Sequence, residues 1–135
     1  MENAISVNVI KCTEETPVYS SLVPKTDEER KVLYNATVAP GMRLSQMIGK
    51  TIDLVHVYVE LIELTSQQTG ESYQAPRIVL IDKDGNSYAC VSGGILRALN
   101  RIYAIFGPAP WEDGLTVEVQ QLEVRGNRVY TLEVK

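Results

Sequence analysis

Arg77-Ile78-Val79-Leu80-Ile81-Asp82-Lys83-Asp84-Gly85-Asn86-Ser87-Tyr88-Ala89-Cys90-Val91-Ser92-Gly93-Gly94-Ile95-Leu96 is the most legible stretch of the chain. Arg77 to Ile81 reads as a strand rich in β-branched residues. Asp84-Gly85 is a hairpin signal, because glycine supplies the positive φ that a tight turn requires, and Ser87 to Val91 returns. Ser92 is a candidate N-cap; Ile95, Leu96, Leu99, Ile102, Tyr103 and Phe106 then recur at helical spacing until Gly107-Pro108 stops the helix. No other stretch carries so clear a helical signal.

Upstream, residues 51–64 alternate, with Val55, Val57, Val59 and Leu61 on one face and His56, Tyr58 and Glu60 on the other. A polar loop over 65–72 separates this long strand from Arg77. Residues 43–49 read as a turn or short helical piece, and residues 32–38 as a first strand closed by Pro40-Gly41. Before it, residues 1–29 read as an N-terminal arm: Ile5 to Ile10 alternates like a short strand, while Pro17, Pro24 and the charged run Lys25 to Arg30 resemble a loose linker. Downstream, residues 115–124 and 129–134 alternate around Arg125-Gly126-Asn127-Arg128, a second hairpin. The order is three strands, a helix and two strands. It predicts an all-β domain with one helix over residues 30–135, an OB-fold in which the helix between strands 3 and 4 plugs a five-stranded Greek-key barrel.

The 135 residues suffice for one domain with its own core. No apolar run is long enough to cross a bilayer, and Met1-Glu2-Asn3-Ala4 has none of the features of a signal peptide, so the expected location is inside a cell, away from membrane. Cys12 and Cys90 form no CxxC pair and read as free thiols, Cys90 buried; no metal site or cofactor is expected. A net charge of −4 argues against a simple cationic binder, because counterion release by Lys and Arg drives much of nucleic-acid affinity. Seven tyrosines against one phenylalanine point to half-exposed aromatic faces, although β-proteins are rich in tyrosine in any case.

Catalytic constellations are absent from the sequence, so no enzymatic activity is expected. The single histidine, His56, has no motif supplying triad partners, and Gly93-Gly94 lacks the GxGxxG spacing and reads as close packing at a helix start. Asp82 and Asp84 sit in a tight turn, where aspartate serves local backbone hydrogen bonds. A binding constellation is more promising. The face of strands two and three in this fold often meets oligonucleotides or oligosaccharides. Tyr58, His56, Tyr73, Arg77 and Tyr88 would lie on it, with Lys50, Arg43 and Lys83 at its rim reaching phosphates while rings stack on bases. Trp111, directly after Pro108-Ala109-Pro110, reads as capping a core edge, with a stacking platform as the alternative.

Tyr34-Asn35-Ala36, Gly49-Lys50-Thr51-Ile52, the segment from Ile81 to Ser92 and the final Gly126-Asn127 hairpin together resemble the single-stranded DNA-binding proteins of phi-29-type bacteriophages. The resemblance implies an OB-fold that coats displaced strands during protein-primed replication in the host cytoplasm, with tyrosines as stacking platforms. It brings Tyr34 into the expected site and makes Tyr88 its foremost contact, since Tyr88 falls where the family carries tyrosine. Two family tyrosines fall near Leu61 and Thr69 here, so that part of the stacking set is either replaced by Tyr58 and Tyr73 or lost. The arm before Lys31 exceeds that of the shortest members, and self-association through it, or contact with replication proteins, is a further expectation. The rival reading is an OB-type protein-interaction module that binds no nucleic acid.

Overall fold

The computed structural model describes Ile10, Cys12 and residues 15–135. Of the alternating stretch expected at the N-terminus, residues 5–9 lie outside the described residues; Ile10 is buried, and its N–H donates to Asn100 Oδ1 at 2.6 Å. The fold is mostly β with two helices: β1 (Val18–Ser20), α1 (Asp27–Val38), β2 (Met42–Arg43), a 3-10 turn (Leu44–Met47), β3 (Thr51–Thr65), β4 (Ser72–Asp82), β5 (Ser87–Val91), α2 (Gly93–Phe106), β6 (Leu115–Val124) and β7 (Asn127–Val134).

The expected first strand is therefore a helix, and the expected linker is its first turn. Thr26 caps it, its Oγ1 accepting the Glu29 N–H at 3.2 Å, while Glu29 Oε1 accepts the Lys25 N–H at 2.9 Å. These two bonds around the cap satisfy amide donors at the helix start that would otherwise be left unpaired. Asp27, Glu28 and Glu29 sit at the positive end of the helix dipole, and Arg30 pairs with Asp27 one turn back. Those local interactions outweigh the β preference of Val32, Thr37 and Val38. The single helix and five strands expected become, among the described residues, two helices and seven strands.

One mixed sheet has the order β2-β5-β4-β3-β6-β7, with β1 paired to β3. The first half of β3 pairs with β6 through residues 51–54, and β1 takes the same edge at residues 58–60. The sheet curls: β2 runs parallel to β5, and the segment after it bridges to β6, where the Gly49 N–H donates to the Val119 carbonyl at 2.7 Å. Such a curl is consistent with an OB-like fold.

A bulge in β3 between Leu54 and His56 shifts the alternation. Ile52 and Leu54 before it, and Val57 and Val59 after it, all enter the core, whereas an unbroken strand would send the two pairs to opposite faces. The Val55 carbonyl, displaced by the bulge, accepts the Trp111 N–H at 3.0 Å. Ile78, Leu80, Val117 and Val119 complete the sheet side, and Ile95, Leu99 and Ile102 of α2 fill the interior. Gly94 lets α2 approach β7: a Cβ there would collide with the Tyr130 carbonyl oxygen. Trp111 packs edge-on against Tyr103, ring centroids 5.5 Å apart, as expected of a residue closing a core edge. No helix among the described residues is long and apolar enough to cross a membrane.

Candidate nucleic-acid interface

Residues directly opposite one another in paired strands share a face, so the register fixes what the outer surface of the sheet displays. One row runs Tyr58, Val79, Ala89, Arg43 across β3, β4, β5 and β2; the next runs Glu60, Arg77, Val91. α1 lies over part of this surface, packing Ala36 against Val79 and Ile81 with Tyr58 and Ala89 at the margin. The second row remains outside that contact. Arg77 Nη1 pairs with Glu60 Oε1 at 2.7 Å, and the Tyr58 hydroxyl donates to Glu60 Oε2 at 3.3 Å. Burial, and then the Glu60 carboxylate, raises the Tyr58 pKa, so the phenol stays neutral.

Where the curl brings β5 towards β7, a groove of about 350 Å³ opens. Its floor is largely apolar, with Leu44, Cys90 and Val91; Arg43 and Arg77 line it beside Tyr130 of β7. Burial pushes the Cys90 thiol up to about 12, which leaves the floor uncharged. Arg43 makes no ion pair with any described residue, so its guanidinium is available to an anion. A flat half-buried ring, an apolar floor and two guanidinium groups suit a polyanion with apolar flat rings, which is the chemistry of a single nucleic-acid strand.

Comparison with known families bears on that chemistry directly: the family model described as "Phage Single-stranded DNA-binding protein", of the phi29 type, matches residues 13–135. The chain belongs to this family. No curated protein and no solved structure matches it.

For this phage family member, the expected site residues are partly gathered and partly scattered. Arg43 and Arg77 meet in the groove, with Tyr58 one row away on the same face. Tyr34, expected on a strand, lies on α1 at 65% exposure and lines a separate hollow with Tyr58. Tyr73 is exposed near the start of β4, opposite Leu64, and Lys83 is in the turn at the other end of β4. Ten residue steps along β3, from Leu54 to Leu64, separate those ends, about 33 Å along the strand. Lys50 is exposed, its carbonyl accepting the Val119 N–H at 3.1 Å.

His56 faces a different hollow. Its Nδ1 lies 3.1 Å from Ser21 Oγ, which also accepts the Val57 N–H, and Glu29 and Glu112 line the same space. Burial lowers its pKa against the pull of those two carboxylates.

Tyr88 departs most from expectation. At 6% exposure it belongs to the core, and its hydroxyl donates to Asp82 Oδ2 at 2.8 Å. Burial and that bond push its pKa up to about 12. The same carboxylate accepts the Asp84 and Asn86 N–H groups, so Asp82 is a turn residue, as read from the sequence. Tyr130 was missed. Its half-exposed position depends on β5 and β7 approaching without pairing, and no local pattern announces that.

Proposed function

We propose that this phage protein binds single-stranded DNA without regard to sequence and covers displaced strands during phage DNA replication in the host cytoplasm. The observation that carries the reading is the groove between β5 and β7, where Arg43, Arg77 and Tyr130 converge over an apolar floor. Family membership supports the ligand class. Bases stack on Tyr130, phosphates take the guanidinium groups, and Tyr58, Tyr34 and Tyr73 extend the contact along the outer face. Lys50, Lys83 and His56 stand apart from the groove and contribute less.

The five strands β3 to β7, with α2 between β5 and β6 and β3 flanked by β4 and β6, form on this reading the OB-type barrel, with α2 as its plug. β1, α1 and β2 are additions to it. Self-association through the N-terminal arm and contact with other replication proteins belong to the same reading; sedimentation of the full chain over a range of concentrations tests the first.

Titration with oligothymidylate, followed by intrinsic fluorescence, tests the main claim. Micromolar or tighter binding, quenching of emission and much weaker binding of a duplex of equal length are expected. Equal competition by duplex would overturn the stacking account. Absence of salt-sensitive retention on a single-stranded DNA column would leave a protein-interaction module as the better reading.

A further inference from the structure

Beyond the groove, a second hollow of about 260 Å³ opens between α2 and the β6–β7 hairpin, and Tyr130 lines both. Arg97 and Arg101 of α2 border it, facing Leu122 and Val129. Four residues apart on a helix, the two arginines share a face, where like charges repel. Both are exposed, and neither forms an ion pair with any described residue. Arg97 also lies back over the helix start: a Cβ at Gly93 would be 3.4 Å from its Nη1. Its guanidinium therefore stands near the positive end of the α2 dipole, an arrangement that favours an anion there. The hairpin adds Arg125 and Arg128, both exposed. Arg128 stands opposite Glu123 in the register. In a chain of net charge −4, two unpaired arginines beside a hollow that continues the groove form a local exception.

We propose that the DNA strand leaves the β5–β7 groove past Tyr130 and runs over α2, where Arg97 and Arg101 each hold a phosphate. This rests on the groove reading above and adds a direction and a length to it. Tyr130 stands at the junction, with its ring available to the base between the two tracts. The partner is the same single strand, chosen by charge complementarity and by continuity through one shared residue. A duplex does not suit this path, because a base can reach the shared ring only if it is unpaired.

Binding of oligothymidylates of about 5 and about 15 nucleotides, near the two ends of the range of lengths that OB-type domains occupy, tests the path with the full-length chain and an Arg97→Ala/Arg101→Ala variant. Both arginines are exposed, so the variant is expected to melt like the parent. The parent should bind the longer oligomer more tightly; the variant should bind the shorter one equally well and lose about tenfold on the longer. Its slope of log affinity against log salt on the longer oligomer should fall in magnitude by about 1.4, two phosphates at about 0.7 each. Identical length dependence and slope in both proteins would overturn the proposal. A parent that gains nothing from length would overturn it while leaving the groove reading intact. A parent that binds neither oligomer would remove both.

Discussion

Tyr88 gives up the surface place that the sequence suggested for it, and Tyr130, which no sequence pattern singled out, lines the groove instead. Tyr88 stands in the turn-flanking strand where the family resemblance pointed, yet its ring fills the core and its hydroxyl is held by Asp82. Tyr88→Ala is therefore expected to lower folding stability by about 3–5 kcal/mol, and Tyr88→Phe by about 1–3 kcal/mol through the lost bond to a carboxylate. DNA affinity of the folded fraction should not change in either variant; denaturant unfolding and oligothymidylate titration on the same samples check both halves. For Tyr130, a half-exposed stacking ring predicts the reverse pattern. Tyr130→Ala should cost about 1–3 kcal/mol of binding while Tyr130→Phe keeps most of it, since stacking uses the ring and not the hydroxyl. His56 gives a pH signature. Its folded-state pKa is depressed by burial, so the native protein favours the neutral ring, while the unfolded chain takes up a proton as pH falls past about 6.5. Stability attributable to it is present above that pH and lost as pH falls below it. His56→Gln should flatten the dependence of unfolding free energy on pH between about 7 and 5, and an unchanged slope would count against this account.

At the scale of elements, α1 and α2 contrast. α2 was legible because its apolar residues repeat at helical spacing between a serine cap and a glycine stop, and it buries Ile95, Leu99 and Ile102. α1 buries only Ala36 and leaves Val32, Tyr34 and Val38 exposed, so it carries no apolar stripe of the usual width. Its sequence signal is the capping pattern Thr26-Asp27-Glu28-Glu29, which the β-branched residues that follow obscure in the chain. Because local capping holds this helix more than packing does, Thr26→Ala should cost about 1 kcal/mol and speed amide exchange in α1 ahead of the sheet. The α2–β7 contact depends instead on close approach. Gly94→Ala forces a methyl group against the Tyr130 carbonyl, and a loss of about 1–3 kcal/mol is expected in equilibrium unfolding.

At the scale of the whole molecule, an acidic protein binds a polyanion only by gathering cations on one side, free like Arg43 or held by a single carboxylate like Arg77. Arg43 and Arg77 alone predict a slope of log affinity against log salt of about −1.4, and Arg97 and Arg101 bring it to about −2.8. A much steeper slope would mean that Lys50 and Lys83 also reach phosphates. Legible in the chain alone were the tight turns, α2 with its cap and stop, the strand pairs at both hairpins and the family. Each of these is set by residues near one another in the chain, acting through φ, hydrogen bonding and periodicity, or by a pattern spread over most of its length. Tertiary structure alone decided which face of β3 is buried on each side of its bulge. It also decided that Tyr88 points inward, and that β5 and β7 meet across a groove rather than by pairing. Those outcomes follow from the curl of the sheet around α2, which joins residues far apart in sequence, and a two-residue alternation is satisfied equally well with either face turned in.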